Sequence, residues 1–137
     1  MEDVFVGSLM SAPVHTAEGG TTLRAAARLL IDHDVGSVVV VDDQGRLDGI
    51  LTVTDVVRIV AGEAAYGPET PVSAVMSTDV VTVAASDSVE AAADRMVEMG
   101  HYHLPVVDGE APIGIVTATD LAAYVSTVRT PNPPHRS

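Results

Sequence analysis

The sequence predicts a mixed α/β (α+β) fold, two β-α-β-β-α repeats packed around a pseudo-two-fold axis. Three observations carry this prediction. The chain resembles itself at a fixed spacing, apolar residues recur at helical intervals at matched places in each copy, and a β-branched run follows each helix. A shift of 66 residues lays Val6 on Val72, Met10-Ser11 on Met76-Ser77, Val14 on Val80 and Thr16 on Thr82. The same shift lays Ala25-Ala26-Ala27 on Ala91-Ala92-Ala93 and Val40-Val41-Asp42 on Val106-Val107-Asp108. One residue is then lost in a turn, and at a spacing of 65 Gly49-Ile50, Thr52, Thr54, Asp55 and Val60 meet Gly114-Ile115, Thr117, Thr119, Asp120 and Val125. Low complexity does not produce so ordered a series.

The first copy spans 6–61, a linker 62–71, the second copy 72–127 and a tail 128–137. Each copy reads as strand, helix, strand, strand, helix. In the first of these helices, Leu23, Ala26, Ala27, Leu30 and Ile31 fall on one face, as do Val89, Ala92, Ala93, Met96 and Val97. Thr21 is the expected cap of the first helix, and Asp87, with Glu90 three residues on, of the second. The unbroken runs Val38–Val41 and Leu104–Val107 suit strands covered on both faces. Pro105 cannot donate to a ladder and is expected at a strand end or edge. Asp43-Gln44-Gly45 and Asp108-Gly109 are hairpin turns. The last strands, Leu47 to Val53 and Ile113 to Ala118, run into second helices beginning near Thr54 and Thr119. Gly67-Pro68 and Pro71 punctuate the linker, and the proline-rich tail is expected to be disordered. A unit this short is marginal alone, so the two copies are expected to share one core.

Composition excludes several classes. Nineteen Asp+Glu against seven Lys+Arg give a net charge of −12, and every basic residue is arginine. Phosphate coating needs clustered cations, so nucleic-acid partners and anionic membranes are disfavoured. Aromatics at 3% are too few for single-strand stacking platforms. The absence of cysteine removes disulfides, thiolate metal sites and cysteine nucleophiles. Mean hydropathy is +0.30, but no apolar run has membrane-spanning length. The acidic start Met1-Glu2-Asp3 is wrong for a signal peptide, which predicts a cytoplasmic protein.

The repeat ends, Gly49-Ile50-Leu51-Thr52-Val53-Thr54-Asp55 and Gly114-Ile115-Val116-Thr117-Ala118-Thr119-Asp120, resemble the Gly-h-h-Thr-x-Thr-Asp signature of the cystathionine-β-synthase-type (CBS) domain. His103-Leu104-Pro105-Val106-Val107-Asp108 resembles the family's second-strand signature. Two copies at matched positions imply a tandem pair, or Bateman module, with two clefts related by the pseudo-dyad. The resemblance implies a non-catalytic regulatory sensor that binds AMP, ATP or S-adenosylmethionine, dimerises through its helices and regulates another protein. It implies nucleotide-binding candidates Thr16, Ser37, Thr52, Thr54 and Asp55 in one copy and Thr82, Tyr102, His103, Pro105, Thr117, Thr119 and Asp120 in the other. The alternative is a ligand-free interaction module that only self-associates.

The residues themselves support a nucleotide cleft. A strand-to-helix junction presents free amides to phosphate, threonines two apart add hydroxyls, and Asp55 or Asp120 can accept from a ribose diol. The competing reading makes Thr54 and Thr119 helix caps, with the aspartates favouring the helix dipole. Copy two carries His101, Tyr102 and His103 where copy one has Val35, Gly36 and Ser37, and Glu18 would repel phosphate in copy one. The Asp120 cleft is therefore expected to be the better site. His101-x-His103 could chelate a metal, but no third ligand is evident, and a polar rim is the simpler reading. His15 and His33 are read as isolated surface residues, and Met96 and Met99 as apolar filler. No nucleophile elbow, Walker loop or His-Glu-x-x-His occurs, so no catalytic activity is expected. Without lysine, bound phosphate must be met by helix termini, hydroxyls, histidine, an arginine or bridging Mg²⁺, which favours AMP or an S-adenosyl compound over ATP.

Overall fold

The computed structural model describes residues 4–62 and 65–129. The elements are α1 (Val6–Leu9), β1 (Thr16–Glu18), α2 (Leu23–His33), β2 (Ser37–Val41), β3 (Leu47–Thr52) and α3 (Val53–Val60) in the first copy. A short 3-10 helix (Val72–Ala74), β4 (Val83–Ala84), α4 (Val89–Met99), β5 (His103–Asp108), β6 (Ala111–Thr117) and α5 (Ala118–Arg129) follow in the second. Each copy forms a three-stranded sheet in which the middle strand pairs parallel to the first and antiparallel to the third. No helix among the described residues is long and apolar enough to cross a membrane.

Local chemistry moves the expected boundaries by a residue. Thr22, not Thr21, caps α2, its Oγ1 accepting from the Ala25 N–H at 3.1 Å. Ser88, not Asp87, caps α4, its Oγ accepting from the Ala91 N–H at 3.0 Å. Asp87 instead accepts from the Ala84 N–H at 2.8 Å and so tightens the turn after β4. α5 continues through Arg129, past the expected start of the tail, and residues 130–137 lie outside the described part. On α2 and α4 the predicted apolar stripes are cut short: Leu23, Ala26 and Leu30, with Val89, Ala92 and Met96, are buried, but Ile31 and Val97 are 66% and 78% exposed. Met99 is exposed too, so only Met96 is core filler.

Pro105 lies at neither an end nor an edge. It is buried in β5, the central strand of its sheet, opposite Ile115. Its equivalent, Val39, donates its N–H to the His15 carbonyl at 3.1 Å. Proline has no such donor, and pairing of β4 with β5 begins only at Val83 and Val106, leaving β4 one residue shorter than β1.

The copies do not pool their apolar residues into one core. Each keeps its own and borrows one piece from the other. Val6, from the segment leading into copy one, is buried with Val83, Ala92, Met96, Leu104, Val106 and Val116 of copy two. Val72 is buried with Leu23, Ala26, Val40 and Leu51 of copy one. Backbone bonds fix the exchange: Val6 N–H to Asp87 O (2.9 Å) and Gly7 N–H to Ala85 O (3.0 Å) on one side, Val72 N–H to Thr21 O (2.7 Å) and Ser73 N–H to Gly19 O (3.0 Å) on the other. The lead-ins then cross the third strands, where Ser11 exchanges both backbone bonds with Ile115 and Ser77 both with Ile50. This explains the paired Gly-Ile dipeptides. A Cβ on Gly49 would stand 2.5 Å from Met76 Sδ, and one on Gly114 2.7 Å from Met10 Sδ, so only glycine lets the lead-in pass.

Candidate functional site

The two third strands end in the same device. The Asp55 N–H donates to Thr52 Oγ1 (3.2 Å) and the Thr52 N–H to Asp55 Oδ2 (2.8 Å), a reciprocal capping box. Thr117 and Asp120 repeat it at the same distances. The caps are thus Thr52 and Thr117, whose backbone is still extended, and not Thr54 and Thr119, which stand exposed on the first helical turn. Each aspartate commits Oδ2 to its cap and leaves Oδ1 outside it. The amides are committed too: the Val53 N–H donates to Gly36 O (3.0 Å) and the Ala118 N–H to Tyr102 O (3.1 Å). A helix start of this kind offers an anion little beyond the amides of Thr54 and Thr119.

Two clefts flank these junctions. One, of about 630 Å³, is lined by Thr117, Thr119 and Asp120 from copy two, but also by Ser11–His15 and Asp34–Ser37 from copy one. The other, of about 450 Å³, is lined by Thr52, Thr54, Asp55 and Arg58 from copy one, and by Ser77, Asp79–Val81 and Gly100–His103 from copy two. Tyr102 and His103 line both. Each helix start therefore faces the loop of the opposite copy. This corrects the grouping expected from sequence: His101 belongs to the Asp55 cleft, and Val35, Gly36 and Ser37 to the Asp120 cleft.

Other candidates fall elsewhere. Thr16 is exposed on β1 and Glu18 is exposed at its end, and neither lines a cleft. Glu18 is therefore no barrier to phosphate. Pro105 is buried in the sheet. Thr82 lines a smaller cavity of about 310 Å³ between the hairpin turns, beside Asp42, Arg46 and Glu110, and its carbonyl accepts from Arg95 at 2.6 Å. The residues not foreseen are the lead-ins Ser11–Val14 and Asp79–Val81, with Asp34, Arg58 and Ile115. A glycine in each third strand, with no visible partner inside its own repeat, is the signal that could have pointed to a crossing segment.

His103 is the wall between the clefts. Its Cε1 would lie 2.7 Å from a Cβ on Gly36, so the ring occupies the space that glycine leaves. Nδ1 is buried and has no hydrogen-bond partner. Desolvation lowers the pKa of His103 below the ordinary histidine value, against the opposing pull of the Asp120 charge. Burial thus disfavours the protonated ring. His15, in the Asp120 cleft, is not isolated: it stacks on His33 with ring centroids 4.0 Å apart and planes at 18°. Asp34 adopts the left-handed conformation (φ 53°) at the end of α2, where copy two has Gly100 (φ 70°). No group of three or more His, Asp or Glu among the described residues is placed to hold a metal ion.

The CBS domain model matches residues 6–62 and 72–127. The CBS domain-containing protein YhcV of Bacillus subtilis is 38% identical over 117 residues, which cover 85% of this chain and 82% of YhcV. Among solved structures, the CBS domain pair of protein MJ0100 in complex with 5′-methylthioadenosine and S-adenosyl-L-methionine matches with a TM-score of 0.85 at 27% identity, covering 92% of this chain and 98% of that one. Hypoxic Response Protein I with two coordinated zinc ions matches with a TM-score of 0.76 at 29% identity, covering 88% and 98%.

Proposed function

Because this chain belongs to the CBS domain family, as a tandem pair, we propose that it is a non-catalytic cytoplasmic regulatory module that binds an adenosine-containing small molecule where its two repeats meet. One observation carries the reading: each cleft contains an aspartate fixed by its own cap through one oxygen, with the second oxygen left to accept from a ribose diol. Such a carboxylate is oriented before the ligand arrives, which spares the cost of ordering it. Apolar side chains beside it suit a purine face: Pro13, Val14, Val35 and Ile115 in one cleft, Ile50, Val80 and Val81 in the other. The ligands named for the MJ0100 pair, 27% identical, are of the same chemistry and support it.

S-adenosylmethionine and AMP fit this acidic protein better than ATP, whose added charge would need Mg²⁺. Binding would shift the module between states only by its differential affinity for them, and a regulated protein would read the change. Thermal shift with adenosine, AMP, ATP and S-adenosylmethionine tests the reading. Stabilisation that grows with the logarithm of ligand concentration is expected for at least one.

A second reading is favoured by a separate observation. Val57 and Val60 on α3 and Val125 on α5 are exposed, an apolar surface suited to self-association. No shift with any ligand, together with a dimer mass in solution, would favour a purely structural module that homodimerises through these helices.

A further inference from the structure

Phosphate recognition is a problem for a chain with no lysine, and the helix starts do little to solve it because their caps use most of the free amides. The arginines are mostly engaged. Arg24 pairs with Glu69 (2.8 Å), Arg28 with Asp32 (3.1 Å) and Arg46 with Asp42 (2.9 Å), while Arg95 holds the Thr82 carbonyl (2.6 Å). Among the arginines whose side chains are described, Arg58 is the one with no hydrogen bond or ion pair. It lines the Asp55 cleft. It lies three residues after Asp55, one turn further along the same face of α3. Copy two has Ala123 at the matching place on α5. Each cleft carries two carboxylates, Asp55 with Asp79 in one and Asp34 with Asp120 in the other, but the Asp120 cleft has no arginine in its wall to offset them.

We propose that the two clefts divide adenosine ligands by charge. The Asp55 cleft takes the 5′-phosphorylated form, its phosphate gripped by Arg58. The Asp120 cleft takes an uncharged or sulfonium-bearing form, whose cation the two carboxylates favour. The inference rests on the reading of both clefts as adenosine sites. A guanidinium fork suits phosphate because it donates two parallel hydrogen bonds as well as charge. Asp79 lines the same cleft, so one phosphate matches it better than a chain of three. In the other cleft no guanidinium faces Asp34 and Asp120, so a positive ligand group meets attraction there and a phosphate meets repulsion.

Calorimetric titration of adenosine, AMP and S-adenosylmethionine into the whole chain and its variants tests the division. Arg58→Gln is expected to weaken AMP by about tenfold or more while adenosine stays within about twofold. Arg58→Lys keeps the charge and should retain part of the AMP affinity. Asp120→Ala should abolish S-adenosylmethionine binding and spare AMP, and Asp55→Ala should do the reverse. AMP affinity that is indifferent to Arg58→Gln, or that falls in step with adenosine, overturns the division while leaving the adenosine reading standing. No heat from any of the three ligands with the unmodified chain overturns both. Arg58 is exposed, so an unchanged melting temperature in Arg58→Gln separates a binding loss from a folding loss.

Discussion

The starts of α3 and α5 have the same capping box at the same distances, yet the walls that face them have diverged. Asp55 looks across at Gly100, His101, Tyr102 and His103, whereas Asp120 looks across at Asp34, Val35, Gly36 and Ser37. Arg58 and Ala123 add a further difference on the helices themselves. The comparison teaches that in this duplicated chain each site joins a capping box shared by both repeats to an opposing wall supplied by the other repeat. A substitution at Gly100 or His101 in the α4–β5 loop is felt in the Asp55 cleft, whereas one at Tyr102 is felt in both.

The strongest way to test the likeness of the two halves is to block the crossings. Gly49→Ala and Gly114→Ala each drive a methyl group into a methionine sulfur and a carbonyl, Ser77 O or Ser11 O, 2.9 Å from the ideal Cβ. Each is expected to cost about 1–3 kcal/mol in denaturant unfolding, by similar amounts. A cost at one position alone would mean that only one lead-in is firmly exchanged. Next in size are the caps. Asp55→Ala and Asp120→Ala should each lose about 1 kcal/mol, and a gap well beyond that would break the equivalence of the boxes.

The helix ends before the loops provide a smaller test of the difference. Gly100→Asp puts a side chain into the left-handed region and should cost about 1 kcal/mol. Asp34→Gly relieves the same conformation but frees the unfolded chain, so it should be neutral or stabilising by about 0.5 kcal/mol. The subtlest effect is on pH dependence. Because burial lowers the pKa of His103, the folded protein binds fewer protons there than the unfolded chain once the pH drops below about 6.5. The stability due to the neutral ring is complete above that pH and is lost as the pH falls toward the depressed folded value. Melting temperatures of His103→Gln between pH 7.5 and 5 should fall less steeply than those of the unmodified chain. An identical slope would show that the ring is solvated.

Much of this could be read from the residues because it is local. Helical spacing, turn residues and β-branched runs place the elements and their order, and the Asp-Gly and Asp-Gln-Gly turns fall where expected. Cap positions slipped by one residue because Thr21 and Thr22, or Asp87 and Ser88, are adjacent and chemically eligible; only the extended backbone of the second of each pair decides. The burial of Pro105 could not be read because it depends on how far β4 extends along β5. The composition of the clefts was hidden for a deeper reason. Periodicity describes what each segment does to its neighbours in sequence, while the exchange of Val6 and Val72 depends on which hydrophobic surface is vacant in the opposite repeat. His101 and Asp120 therefore looked like partners by proximity in the chain and lie in separate clefts.

That exchange also constrains how such a protein can come apart. A single repeat with this lead-in has no slot of its own for Val6; it could bury the residue only by lending it to a second copy and receiving one in return. The end of the link adds to the clasp, since the Thr70 and Pro68 carbonyls accept from the Leu23 and Arg24 N–H groups at the start of α2. Cutting that link should leave two fragments clasped by their borrowed valines, still one particle on a sizing column.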